Sequence, residues 1–146
     1  MYLRLIQDGD VYPGQYEDLQ IARERMLMLQ GKYEEAILLC KNIYDFMMNH
    51  YGEENISSSY VLADLGLCCS NMGQYDEAEK YLNRALEIKL RNIGSKNMTT
   101  AYTREAIADH VRRKGNLKEA TMLYSVLELD MEQYLGKDNP HVVRIR

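Results

Sequence analysis

The amino-acid sequence predicts an all-α protein, an α-solenoid of antiparallel helix pairs, and three observations predict it. A short motif returns every 42 residues: "GKYEEA" from Gly31, "GQYDEA" from Gly73 and "GNLKEA" from Gly115. A second marker keeps the same interval, with "YGEEN" at 51 to 55, "IGSKN" at 93 to 97 and "LGKDN" at 135 to 139. Between the markers, apolar residues recur at helical spacing. Two markers held in phase indicate a repeat array whose units bury their apolar faces against one another.

Residues 1 to 13 read as the end of a preceding helix or an N-terminal cap. The spacing of "GDVYP" (Gly9 to Pro13) resembles that of "GKDNP" (Gly136 to Pro140). The first unit then spans 14 to 55 and carries one extra residue in its leading helix, where Leu19, Ala22, Met26 and Leu29 form the expected buried stripe. Its second helix follows Gly31, with Ala36, Leu39, Cys40 and Ile43 on one face. The second unit, 56 to 97, pairs a helix bearing Leu62, Leu65, Gly66 and Cys69 with one bearing Ala78, Tyr81, Leu82 and Ala85. The third, 98 to 139, pairs Ile107, Ala108 and Val111 with Ala120, Leu123, Tyr124 and Leu127. Residues 140 to 146 begin a further helix or a C-terminal cap, so the chain reads as a window on a longer array or as a small array with minimal caps.

Local chemistry marks the helix ends. Gly31, Gly73 and Gly115 can adopt the left-handed conformation that stops one helix and turns the chain into the next. Acidic residues follow at once (Glu34 and Glu35, Asp76 and Glu77, Glu119), in the first turn where unpaired backbone N–H groups favour negative charge. Asn55, Asn97 and Asn139 share one phase and suit the N-cap of each following helix. Pro140 suits a first helical position.

Composition narrows the function. With 146 residues and 46% hydrophobic content the chain can bury a core. A net charge of -4 and a pI near 5.4 oppose binding to nucleic acid, whose affinity rests on neutralised phosphates. Acidic residues concentrate at the N-terminal end, with ten Asp/Glu against five Lys/Arg in residues 1 to 55. Cys40, Cys68 and Cys69 make no disulfide framework, there is no secretory leader and no apolar run long enough to span a bilayer, so a cytoplasmic location without membrane partners is expected.

At these residues the chain resembles the tetratricopeptide repeats, in the 42-residue form found in kinesin light chains and many bacterial proteins. The resemblance covers 14 to 139 and is most specific in the second unit, where Leu62, Leu65, Gly66, Gly73, Tyr75, Ala78, Leu82 and Ala85 fall on the signature spacing. The third unit keeps Ala108 and Ala120 but has Arg104 at a position for a large apolar residue. In the first, Arg23 or Glu24 stands near the small position.

The resemblance implies a right-handed superhelix whose concave groove, lined by the leading helices, holds a protein or peptide segment. Carried over, the groove positions are Tyr60, Asp64, Leu67 and Asn71 in the second unit and Tyr102, Asp109, Arg112 and Arg113 in the third. Tyr60 and Tyr102, one period apart, either grip a ligand from one side or pack between neighbouring helices. Arg112, Arg113 and Lys114 read first as charge complementary to a helix C-terminus. The Lys/Asn/Arg clamp of the chaperone-binding branch is missing at Asp18, Ala22, Tyr60, Asp64, Tyr102 and Ala106.

Nothing in the sequence suggests a catalytic site, a cofactor or a metal. His50, His110 and His141 lie in no ligand spacing and read as surface or lining residues. Asp109 and His110, adjacent on a helix, do not face each other. Cys40 and Cys69 read as packed thiols, and the nine methionines as core filling. A non-enzymatic adaptor or sensor module is therefore expected, with homo-oligomerisation through exposed solenoid ends as the alternative.

Overall fold

The structure, a computed structural model, describes residues 13–53 and 55–135. Within them the chain forms α1 (Pro13–Leu29), α2 (Tyr33–Tyr51), α3 (Ile56–Asn71), α4 (Tyr75–Ile93), α5 (Met98–Arg113) and α6 (Leu117–Leu135), and no strand. Each helix packs on the next, and α3 also packs on α5. That succession makes a solenoid: three helix pairs stacked in line, with leading helices α3 and α5 side by side. Residues 1–12 and 136–146, where a preceding helix and the Asn139–Pro140 start were expected, lie outside the described residues.

The punctuation is local and repeats in each unit. Gly31, Gly73 and Gly115 have φ of 73°, 77° and 92°. At each, the glycine N–H donates to the carbonyl three residues back and the next N–H to the carbonyl five back, as in Gly73 to Ser70 and Gln74 to Cys69. These are Schellman turns, which satisfy the last carbonyls of each leading helix. Asn55 Oδ1 accepts from Ser57 N at 2.7 Å and Asn97 Oδ1 from Thr99 N at 2.9 Å. At the start of α6, Asn116 Oδ1 accepts from Glu119 N at 3.2 Å, satisfying one first-turn N–H, and the Asn116 side-chain amide donates to the Glu119 carboxylate.

Packing within each pair follows two linked positions. At the first, Gly66 faces Leu82: a Cβ on Gly66 would meet Leu82 Cγ at 2.6 Å. The same positions hold Ala108 and Tyr124 in the third unit and Glu24 and Cys40 in the first, so a large residue on one helix faces a small one on the other. At the second, Leu62 and Ile88 share an apolar cluster. Their counterparts in the third unit, Arg104 and Asp130, form an ion pair at 2.9 Å. That pairing accounts for an arginine at an apolar position.

Two expectations are corrected. The stripe of α1 is not Leu19, Ala22, Met26 and Leu29: Leu19, Met26 and Leu29 are 49%, 59% and 89% exposed, and Ala22 is exposed. Gln20 and Glu24 are buried instead, with Ile21, Leu27 and Met28 packed against the core. The reason is helix order. Val61 and Cys68 of α3, one period on from Leu19 and Met26, are packed in a core cluster with residues of the preceding α2; no described helix precedes α1. The second correction concerns His110, read as surface or lining but 1% exposed. Its Nδ1 lies 2.9 Å from Ser70 Oγ and its ring meets the Tyr75 ring edge-on at 5.7 Å. His141 lies outside the described residues.

Candidate functional site

Between α3 and α5 lies a cavity of about 330 Å³ with α4 beneath it. Tyr60, Ala63, Asp64 and Leu67 line it from α3, Thr99, Tyr102, Thr103 and Ala106 from α5, Arg25 from α1 and Lys89 from α4. Helical geometry sets this arrangement, because residues three and four apart share a face. The Asn55 and Asn97 caps start α3 and α5 in matching register, which puts Tyr60 and Tyr102 at equivalent heights.

Four of the eight residues carried over from the resemblance therefore meet at one cavity: Tyr60, Asp64, Leu67 and Tyr102. The other four are not among its lining. Asn71 donates to its own helix at Leu67 O, 2.8 Å away. Asp109 accepts from the Tyr124 hydroxyl and lies 3.9 Å from the Arg112 guanidinium. The Arg113 carbonyl accepts from the Tyr75 hydroxyl at 3.3 Å. Of the basic run at the end of α5, Arg112 thus lies beside Asp109 and Lys114 lies 3.6 Å from Glu79, while Nη1 of the Arg113 guanidinium is buried without a hydrogen-bond partner among the described residues.

Sequence reasoning missed Arg25, Ala63, Lys89, Thr99 and Thr103, and named Ala106 only as a position where the chaperone-binding clamp is missing. The most informative is Lys89. It is 3% exposed, and its Nζ donates to Thr103 Oγ1 at 2.6 Å and to the Thr99 carbonyl at 3.3 Å. The ammonium also lies 4.4 Å from the centre of the Tyr60 ring, an attraction strengthened where water is excluded. Burial lowers its pKa to about 8 despite the nearby Asp64 carboxylate. One sign of it was legible: Lys89 stands in the phase of Met47 and Met131.

Below Asp64 sits Glu24, 1% exposed, with one carboxylate oxygen lacking a hydrogen-bond partner among the described residues. Burial, and then the charge of Asp64, push its carboxyl up to about 8. Burial raises Asp64 too, while its hydrogen bond with Glu24 and the charges of Arg25 and Lys89 pull it back. The pair therefore carries one negative charge rather than two near neutrality. Beside it, a hydrogen bond with Cys68 and burial raise the Cys40 thiol well above the ordinary thiol range, so Cys40 is a protonated core residue and not a nucleophile.

A family model described as tetratricopeptide repeat matches the chain twice, over residues 25–91 and 60–126. The chain belongs to the tetratricopeptide repeat family. Within that family it is similar to the Tetratricopeptide repeat protein 19 homolog, mitochondrial, of Drosophila melanogaster, at 38% identity over 64 residues. That match takes in 44% of this chain and only 17% of the length of the relative. Tetratricopeptide repeats generally mediate protein–protein interaction as non-enzymatic scaffolds. None of the six described helices of this member is long and apolar enough to cross a membrane.

Proposed function

We propose that this tetratricopeptide array is a non-enzymatic adaptor or sensor module that binds a peptide or protein segment along the face formed by α3 and α5. One observation carries the reading: the cavity between these leading helices, with Tyr60 and Tyr102 one repeat apart on its walls. Tyr102 is 40% exposed and offers a large, stiff apolar surface, the kind of side chain that dominates binding energy at interfaces. No catalytic residue is assigned.

A pull-down from source-cell lysate tests this, comparing the native chain with the Tyr60→Ala, Tyr102→Ala double variant. Because Tyr60 also supports Lys89, helicity is checked by circular dichroism, and Tyr102→Ala alone serves as the milder variant. A partner held by the native chain and released by both variants supports the reading. Partners held equally by all three proteins would move the interaction off this face.

A second reading, self-assembly through the solenoid end, is favoured by the exposure of Leu19 and Met26 at positions where the later units are buried. Light scattering that shows only monomer at high protein concentration would eliminate it. A cytoplasmic location is part of the proposal and rests on three thiols that form no disulfide. The Drosophila relative carries "mitochondrial" in its name, and cell fractionation separates the two compartments.

A further inference from the structure

The outward face of α6 carries an apolar stripe that the array does not need. Met122, Val126 and Leu129 stand at i, i+4 and i+7, on one face of the helix, and are 62%, 50% and 62% exposed. One repeat earlier the same three positions hold Lys80, Arg84 and Glu87, where Arg84 pairs with Glu87 at 3.1 Å and Glu87 with Arg91 at 2.6 Å. Two repeats earlier they hold Leu38, Asn42 and Asp45, all exposed. Both of those helices are followed by a further helix pair, and it buries none of the six residues. A further helix packed on α6 as α3 packs on α2, or α5 on α4, would leave the stripe in water.

A row of exposed apolar side chains rimmed by polar ones marks a contact surface, and here the rim has a direction. Lys118 lies at the N-terminal end of the stripe and Glu132 at its C-terminal end. Their separation is close to four helical turns, which keeps both on one side of the helix. Ser125, small and exposed, lies midway on that side. A second copy, turned end for end about a twofold axis near Ser125 and Val126, sets Met122 against Leu129 of the other copy and Val126 against Val126. Each Lys118 then lies beside Glu132 of the other copy. Parallel pairing would instead oppose lysine to lysine and glutamate to glutamate. The antiparallel arrangement also brings the positive N-terminal end of each helix to the negative C-terminal end of its neighbour. A contact in which both copies use the same patch closes on itself.

We propose that the outward face of α6 is the contact between two copies of this chain. The two α6 helices lie antiparallel, with Met122, Val126 and Leu129 of each at the centre and two Lys118–Glu132 pairs at the rim. None of these residues lines the α3–α5 cavity, so a pair presents two cavities. The face is also separate from the α1 end, where Leu19 and Met26 are exposed. Three apolar side chains from each copy make a small interface, so pairing is weak and depends on concentration.

Sedimentation equilibrium of the full chain, from micromolar to millimolar concentration, reads the pairing. The native chain should pass from monomer to dimer across that range. Val126→Glu puts two like charges at the axis and should leave a monomer throughout, with melting temperature unchanged because the position is exposed. Leu129→Gln is the milder second variant and should weaken pairing too. Lys118→Glu and Glu132→Lys, each checked for helicity by circular dichroism, should each weaken pairing roughly tenfold, since each turns two attractive contacts into two repulsive ones. Mixed in equal amounts, these two charge variants should associate with one another about as tightly as the native chain, because every rim contact is then again between opposite charges. Met26→Glu, at the α1 end, should change nothing. The proposal is overturned by a native chain that stays monomeric, by a dimer that survives Val126→Glu, or by a mixture of the charge variants that pairs no better than either alone. A dimer lost in Met26→Glu but kept in Val126→Glu would assign self-assembly to the α1 end instead.

Discussion

Gly66→Ala is the sharpest test of how the helix pairs are held together. Gly66 lies inside α3 in helical conformation, so alanine should gain about 1 kcal/mol from helix propensity alone. Against this, the added Cβ would lie 2.6 Å from Leu82 Cγ, 2.9 Å from Leu82 Cδ2 and 3.2 Å from the Ala78 carbonyl oxygen. Leu82 is fully buried and the Ala78 oxygen is backbone, so neither can move away freely. Overpacking of this kind costs about 1–3 kcal/mol. The expected net loss is about 0–2 kcal/mol, a fall in melting temperature of up to roughly 7 °C for a chain of this size. Urea unfolding followed by far-UV circular dichroism measures it. Leu82→Ala removes both clashing carbons and by itself costs about 2–5 kcal/mol, but on that background Gly66→Ala should become neutral or stabilising. The reasoning is refuted if Gly66→Ala stabilises the native chain, or if its effect is unchanged when Leu82 is replaced.

Two further predictions concern pH. Glu24 has a folded pKa of about 8, above its ordinary 4.5, so the folded state holds a proton that the unfolded chain releases. Stability should fall as pH rises from about 4.5 to 8, by up to about 1.4 kcal/mol per pH unit, and Glu24→Gln should flatten the slope; chemical unfolding of both proteins across that range decides. His110 behaves in the opposite sense, because burial lowers its pKa below 6.5. The stability tied to its neutral ring is complete above pH 6.5 and lost as pH falls through the folded midpoint. An NMR titration of the ring should give a midpoint below 6.5, and a value at or above it would remove His110 from the set of acid-sensitive groups. Together the two groups place the stability maximum on the acid side of neutrality.

The sequence alone determined what depends on neighbours along the chain. The 42-residue period, the left-handed glycines at 31, 73 and 115, the acidic first turns, and the Asn55 and Asn97 caps are each settled within a few residues. They could be read before any tertiary contact was known. The small residue at Gly66 was legible for the same reason, since repeats in register make each unit a template for the next.

Tertiary structure decided what depends on which surfaces meet. Periodicity says that α1 has an apolar stripe but not which face a neighbour covers, so Leu19, Met26 and Leu29 were assigned to the core while Gln20 and Glu24 occupy it. His110 is buried because Ser70 and Tyr75 of the previous unit reach it. Lys89 and Arg25 join the cavity from helices other than the two that form its walls, and a lone lysine in a helix reads as a solvated charge until its surroundings are known. Asp109, Arg112 and Arg113 match the groove phase in sequence, yet they lie beyond this cavity. The free energy of a buried charge depends on dielectric and on partners brought from distant parts of the chain, and no local pattern of residues specifies either.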